Sequence, residues 1–391
     1  MHKSLDFYAK WFKIVIVKRY IYDNVLEDLK KKMVFITGPR QVGKTYLAKD
    51  IMKNFKSPVY LNFDDIDDMQ MIKGRSWRLN SDLVVLDEIH KMKGWKNYLK
   101  GTYDTKSSLQ NFLVTGNARL DTFRQTGDSL AGRYFLYHLN PLSVKEISGN
   151  MSAYEAVVAL NTLGGFPEPF LSGSEEYSER WRRQYYTDIV REDILDFSKI
   201  SEIKAIKLLL EMLRKRIGVP LSYTSLAQDI QISPNTVRKY IEILESLNIL
   251  FLIRPLHRNI ARAILKEPKV YFYDSGYVDS EEGVRLENTV AVCLLKHVQY
   301  LQDVKGKEIS LFYIRTKDKR EVDFAIVDKE EVTHIIEVKL SDSGVSRNLK
   351  YFKERIPRAQ AIQLVHNTRH DREVEGIQVM RAGKWLSELE A

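Results

Sequence analysis

Hydrophobic and polar positions divide this chain into stretches of different period. Residues 19–32 carry Ile21, Val25, Leu26 and Leu29 on one helical face, and Lys30, Lys31 and Lys32 close the segment where a helix dipole favours positive charge. Short apolar runs of strand length follow: Met33–Thr37, Val59–Phe63, Leu83–Leu86, Phe112–Thr115 and Tyr134–Leu139. Helical stretches separate several of them, and this alternation predicts a largely parallel sheet covered on both faces. The period turns helical over about 151–216, interrupted by Gly164-Gly165-Phe166-Pro167-Glu168-Pro169, which reads as a loop. Next come a helix at Tyr223–Ile230, the turn Ile232-Ser233-Pro234, a longer helix at Asn235–Leu247 and an apolar strand at Ile249–Ile253. Ser233 suits the N-cap and Pro234 the first helical position, and the succession has the winged-helix order. Strands return at Val270–Tyr273, Leu311–Arg315, Val322–Val327, His334–Val338 and Ala361–Val365. The expected domains are 1–150, a helical connector at 151–256 with the winged helix at 222–256, and a C-terminal α/β domain at 257–391.

Composition narrows the classes. With 391 residues and 44% hydrophobic content, the chain can bury its cores without covalent staples. The excess of 61 basic over 52 acidic residues, +9, fits a nucleic-acid partner without identifying one. A single cysteine, Cys293, excludes an internal disulfide and a cysteine-built zinc site. No uncharged apolar run is long enough to span a membrane. Charges at Lys3, Asp6, Lys10 and Lys13 interrupt the start of the chain, so a cytoplasmic protein without a membrane partner is expected.

The strongest chemical signal is Gly38-Pro39-Arg40-Gln41-Val42-Gly43-Lys44-Thr45, which matches the phosphate-loop pattern at every fixed position. An apolar strand precedes it and a helix follows, so backbone N–H groups of the turn and of the helix start would face an anion. Lys44 would reach the β- and γ-phosphates, and Thr45 would hold Mg²⁺. The partner motif is Leu83-Val84-Val85-Leu86-Asp87-Glu88, a buried strand ending in two carboxylates at the sheet edge where open α/β sheets bind ligands. Asp87 is expected to orient the metal and Glu88 to polarise the attacking water. Thr115 and Asn117, at the end of the Phe112–Thr115 strand, are candidates for sensing the γ-phosphate, with Asn62 and Asp64 behind them. Arg133 is either an arginine finger, in cis or from a neighbouring subunit, or a structural salt bridge.

These segments, with Leu113-Val114-Thr115-Gly116, Leu130-Ala131-Gly132-Arg133 and Gly164-Gly165-Phe166-Pro167, resemble archaeal and bacterial AAA-type ATPases fused to a poorly characterised C-terminal domain. The similarity runs in the same order over nearly the whole chain. A serine commonly follows the Thr-Gly pair in that family, whereas Asn117 stands here. The resemblance implies ATP as the nucleotide; the loop alone implies a nucleoside triphosphate.

Asn235, Thr236, Arg238 and Lys239 lie near the start of the second winged-helix helix, the end that groove-reading helices use, while Glu242 and Glu245 would repel a phosphate backbone. Contact with DNA and packing between domains are both open readings. Farther on, Asp323 lies in a strand, and Glu337 and Lys339 share a face of the next. Glu287 on a helix adds another carboxylate. Carboxylates beside a lysine suit Mg²⁺-assisted phosphodiester cleavage, with Asp323 and Glu337 as metal ligands. The pattern resembles the PD-(D/E)xK nuclease core, to which the family's C-terminal domain is similar. Arg315, Lys317, Lys319 and Arg320 are phosphate contacts or a solvated hairpin tip.

His366 and His370 lack the further ligands of a zinc site, and Trp181, Tyr185 and Tyr186 read as core. The complete expectation is an α/β chain: a P-loop NTPase parallel sheet, a helical and winged-helix segment, and a restriction-endonuclease-like α/β domain. It would use ATP and Mg²⁺ and act on DNA, the alternative being a nucleotide-dependent regulator or scaffold without nuclease activity, as a monomer or a homo-oligomer.

Overall fold

The structure, a computed structural model, describes residues 17–77, 80–116, 130–192, 200–257 and 267–391. Contacts divide the chain into two compact units, one of Lys18–Asn140 with Asp303–Lys305, the other containing Pro141–Gln302 and Gly306–Ala391.

The first unit is built on five strands: β1 (Met33–Thr37), β2 (Pro58–Asn62), β3 (Leu83–Asp87), β4 (Asn111–Thr115) and β5 (Tyr134–His138). Their order is β2-β3-β4-β1-β5 and every pairing is parallel, as the alternation of strands and helices predicts. β1 and β3 are buried along their whole length, which accounts for their uninterrupted apolar sequence. Phe35, Leu61, Val84, Leu86, Leu99, Phe112 and Val114 form one continuous core. The register sets Asp87 beside Thr115 and Thr115 beside Ile36, so the ends of β3, β4 and β1 form one carboxyl edge. The helix expected over 19–32 is shorter, Tyr22–Leu29. Lys30 caps it, and Lys32 lies beyond it with its ammonium 4.8 Å from the centre of the Phe135 ring.

The second unit begins with helices. Gly164–Phe166 is irregular, but Pro167 and Pro169 belong to a short helix, Pro167–Ser172, rather than to the expected loop. Pro167 stands at the start, where its missing N–H has no intrahelical partner to lose. Trp181, Tyr185 and Tyr186 are buried on the helix Glu175–Glu192, as core residues should be. The helices Ile200–Leu213, Tyr223–Ile230 and Pro234–Ser246 come next, the last capped by Ser233.

Eight strands then share one sheet: β6 (Leu250–Pro255), β7 (Lys269–Phe272), β8 (Ile309–Arg315), β9 (Glu321–Asp328), β10 (Glu331–Ser341), β11 (Gln360–Asn367), β12 (Arg372–Val374) and β13 (Ile377–Arg381). The order is β12-β13-β11-β10-β9-β8-β6-β7. β8, β9 and β10 form an antiparallel meander, and the helix Arg347–Arg355 crosses over to β11, which is parallel to β10. β6 pairs with β8 through Arg254 and Pro255, so strands on both sides of residue 256 belong to the same sheet.

Candidate functional site

At the carboxyl edge of β1 the chain turns through Gly38–Thr45 into the helix Lys44–Met52. Gly38 sits at φ 147°, and a Cβ there would overlap the Leu139 carbonyl oxygen, so only glycine fits. Lys44 is buried, and its Nζ donates to the carbonyl oxygens of Gly38 (2.9 Å) and Pro39 (2.7 Å). Anionic phosphate oxygens would compete for the same ammonium. Arg40 and Gln41 are exposed at the loop tip, while Val42 packs inward. Buried Arg19 fastens the loop from behind by donating to the carbonyl oxygens of Val42 (2.8 Å) and Asn140. No local motif marks Arg19, because its partners are distant in sequence.

The Asp87 carboxylate is the hub of this edge. Oδ2 accepts from Thr45 Oγ1 at 2.8 Å and from the Tyr60 hydroxyl at 2.7 Å. Oδ1 accepts from Thr115 Oγ1 at 2.5 Å and from the Glu88 backbone N–H at 3.1 Å. A hydroxyl and a carboxylate side by side are hard oxygen donors, so this pair fits Mg²⁺. Thr115 therefore supports Asp87, and its hydroxyl is committed there. Asn117 lies outside the described residues. Tyr60 was missed by sequence reasoning, although it lies on the same face of β2 as Asn62.

Glu88 occupies a left-handed backbone conformation, φ 57°, which turns its side chain out of the strand direction. Burial raises its carboxyl above the ordinary glutamate range, opposed mainly by the charge of Lys91. Lys91 Nζ lies 3.7 Å from Glu88 and 2.5 Å from Asp64, so the lysine stands between the two carboxylates. Asn62 Oδ1 accepts from the Asp64 backbone N–H at 3.1 Å, a local turn. Arg133 corrects one expectation. It lies at the opposite end of the sheet, its carbonyl bonded to the Met33 N–H, and its guanidinium grips Asp104 at 2.8 and 3.2 Å. The salt-bridge alternative holds within this chain, because the five-residue strand β1 separates Arg133 from the loop.

The second unit assembles another polar centre. β9 and β10 pair Phe324 with Ile336, which brings Asp323 level with Glu337, and Asp323 Oδ2 accepts from the Val338 N–H at 2.9 Å. Lys339 Nζ lies 2.7 Å from Glu337 Oε1, while buried Glu337 Oε2 has no hydrogen-bond partner. The four residues expected from sequence, Glu287, Asp323, Glu337 and Lys339, are brought together. Lys269 on β7 was not foreseen. Its Nζ stands 2.8 Å from Glu321 Oε1 and 3.5 Å from both Glu287 Oε1 and Asp323 Oδ1. The Tyr271 hydroxyl donates to Glu287 at 2.7 Å.

Burial and then the charge of Asp323 push the Glu287 and Glu337 carboxyls up to about 7. Burial opposes the charged form of Lys269, but Glu287, Asp323 and Glu321 outweigh it and hold its pKa above the ordinary lysine value. Among the described residues no group of three or more His, Cys, Asp or Glu side chains is arranged to hold a metal ion. Of the pair expected to hold Mg²⁺, Asp323 already faces an ammonium, 3.5 Å from its Oδ1, whereas Glu337 Oε2 is left without a hydrogen-bond partner.

The DNA-directed candidates are partly engaged within their own unit. Arg238 lies over the Tyr223 ring, 5.0 Å from its centre, and Lys239 Nζ is 3.6 Å from Glu202. The Thr236 N–H donates to the capping Ser233, and Asn235 is exposed. At the hairpin tip, Arg315 pairs with Glu321 at 2.7 Å and Arg320 lies over the Tyr351 ring. His366 stacks on Tyr154, a packing role.

Three family models match the chain: an AAA domain over residues 30–148, and domains of unknown function over 154–286 and 282–385. An uncharacterised protein of Mycobacterium tuberculosis is 26% identical over 258 residues, 64% of this chain and 56% of its own length. The chain therefore spans little more than half of that relative. An uncharacterised protein of Methanocaldococcus jannaschii is 24% identical over 368 residues, 85% of this chain and 81% of its own. Among solved structures, a Walker-type ATPase of Pyrococcus abyssi aligns with TM-score 0.43 at 14% identity, over 67% of this chain and 95% of its own. The Aeropyrum pernix ORC1 protein in complex with DNA aligns with TM-score 0.36 at 14% identity, over 70% and 93%. No helix among the described residues is long and apolar enough to cross a membrane. With its phosphate loop, its Asp87–Glu88 strand end and its parallel sheet, the stretch 30–148 is similar to AAA-type P-loop domains.

Proposed function

We propose that this chain is a Mg²⁺-dependent ATPase whose nucleotide state controls the action of residues 141–391 on DNA. The observation that carries the reading is the Asp87 carboxylate, which holds Thr45 of the phosphate loop and stands next to Glu88. Mg²⁺, held by Thr45 with Asp87 behind it, would neutralise charge on the β- and γ-phosphates. Lys44 exchanges its two carbonyl partners for phosphate oxygens. Glu88 accepts a hydrogen bond from water and aligns it. Thr115 and Tyr60 keep the Asp87 carboxylate in one plane, so the groups are placed before the nucleotide arrives.

Support for DNA is of a different kind. It consists of the +9 charge, three helices followed by the antiparallel β6–β7 pair, which we read as a winged helix, and exposed Asn235 at a helix start. The β8–β11 arrangement with the helix Arg347–Arg355 supports a restriction-endonuclease-like domain. One observation favours a nucleotide-dependent regulator that holds its partner without cutting it: Lys269 lies among the carboxylates.

The test is ATP hydrolysis and cleavage of labelled DNA measured in the same tubes for wild type, Lys44→Ala and Glu88→Gln. ATP turnover lost in both variants, with DNA retained in a shift assay and left whole, is the expected result. Turnover that survives Glu88→Gln would remove the catalytic assignment. Coupling predicts that ATP alters trypsin cleavage between residues 151 and 260; an unchanged digest would rule it out.

A further inference from the structure

We propose that the C-terminal carboxylate centre is neutralised by an internal cation, the Lys269 ammonium, and takes up no divalent metal ion. The inference concerns the second unit alone and is independent of ATP turnover in the first.

The geometry places Lys269 Nζ where a shared cation would lie. It is equidistant, at 3.5 Å, from Glu287 Oε1 and Asp323 Oδ1, and 2.8 Å from Glu321 Oε1. These carboxylates come from two elements, the helix Glu282–Lys305 and β9, so the ammonium stands in charge contact with groups from both, without a well-directed hydrogen bond to either. A divalent ion entering between Glu287 and Asp323 would meet a fixed positive charge at contact distance, and the same carboxylate oxygens cannot serve both.

Lys269 cannot easily give way. Its relative exposure is 0%, its backbone is paired with Ile253 of β6 and bridged to Pro220, and its ammonium lies 5.4 Å from the centre of the Tyr313 ring. The opposite wall is equally tight. Gly218, at φ 73°, approaches so closely that a Cβ would press on both Glu287 oxygens, 2.5 and 2.7 Å away. Losing its proton is no escape either, since the surrounding carboxylates hold the lysine in its charged form. Charge nearly balances without a metal: Lys269, Lys339 and Arg315 face Glu287, Glu321, Asp323 and Glu337.

Lys339 differs from Lys269 in being 40% exposed, which leaves one flexible positive charge at the mouth of a rigid ionic cluster. Such a centre can meet a phosphate through Lys339 and Arg315. It lacks the open metal position that cleavage by metal-bound water requires.

The experiment is Mn²⁺ binding followed by electron paramagnetic resonance on the nucleotide-free full chain. Wild type, Asp323→Asn and Glu337→Gln should bind the same amount of Mn²⁺, because no ion uses these carboxylates. Lys269→Met should gain one Mn²⁺ per chain, and the Lys269→Met/Asp323→Asn double variant should lose it. Wild type binding one more Mn²⁺ than the folded Asp323→Asn or Glu337→Gln chain would overturn the proposal. So would Mg²⁺-supported DNA cutting by wild type that Asp323→Asn abolishes, or a folded Lys269→Met chain that gains no ion. Should Lys269→Met fail to fold, the comparison of wild type with Asp323→Asn and Glu337→Gln decides alone.

Discussion

Replacing Tyr60 by phenylalanine removes one hydroxyl and leaves the ring. The hydroxyl is held by burial and by Asp87, which together raise its pKa well above that of an ordinary phenol. The ring lies under the Lys49 ammonium, 5.0 Å from its centre, and that contact survives in phenylalanine. What disappears is the 2.7 Å hydrogen bond to Asp87 Oδ2. Thr45 is the other donor to that oxygen, and its hydroxyl can keep that bond while a lone pair faces the metal. Oδ2 would then rest on Thr45 alone, while Thr115 and the Glu88 N–H still hold Oδ1.

A hydrogen bond to a charged acceptor contributes about 1.5–3 kcal/mol. Partial solvent exposure of Tyr60 and the remaining Oδ1 donors reduce this to roughly 1–2 kcal/mol, or about 5- to 30-fold in an equilibrium constant. The Mg²⁺ concentration for half-maximal ATPase activity should rise by about that factor in Tyr60→Phe, with the melting temperature little changed. The assay is steady-state phosphate release across a Mg²⁺ titration at saturating ATP. A Tyr60→Phe enzyme with the wild-type Mg²⁺ dependence and the wild-type rate would refute the reasoning that Asp87 is held by this hydroxyl.

Two further outcomes follow from charge and burial. Glu88 must be ionised to align water, and burial raises its pKa, so ATPase activity should fall as pH drops through a value above the ordinary 4.5 of glutamate. Lys91 opposes that rise, so Lys91→Met should move the acidic limb of the pH–rate profile to higher pH; a limb that stays in place refutes the coupling. In the second unit, Arg182 Nε donates to Asp274 at 2.9 Å with both side chains buried. Arg182→Met leaves that carboxylate unpaired and should destabilise the unit by about 3–5 kcal/mol in denaturant titration, with partial recovery in Arg182→Met/Asp274→Asn.

Much of the fold was legible because its strands are buried on both faces. β1 and β3 appear in the sequence as uninterrupted apolar runs, and their boundaries agree with the expectation to within a residue. The helix at Tyr223–Ile230 was also placed correctly, between Ser222, which caps it, and a left-handed Gln231. Proline was less informative. Pro167 and Pro169 looked like loop residues, yet the first turn of a helix accepts proline without loss, and the structure puts them there. Long-range pairing was harder still. The pairing of β6 with β8 leaves no local mark, because it depends on strands more than fifty residues apart.

The two polar centres differ in legibility for a chemical reason. Phosphate binding at a helix start needs consecutive backbone groups, so its residues are contiguous and leave a motif, Gly38 to Thr45. The supports of that loop come from elsewhere: Arg19 and Tyr60 act through single contacts that no spacing rule announces. A carboxylate centre on a sheet has only alternation to reveal it. Alternation found Asp323, Glu337 and Lys339, all on the β9–β10 hairpin, but could not reach Lys269 on β7, whose contact with Asp323 joins residues more than fifty apart in sequence. Yet Lys269 decides the chemistry. A D…ExK pattern specifies where carboxylates converge, and it is silent on which cation they converge upon. Two sequences with the same hairpin can therefore hold a metal in one case and a lysine in the other, and the difference lies in a strand the motif does not include.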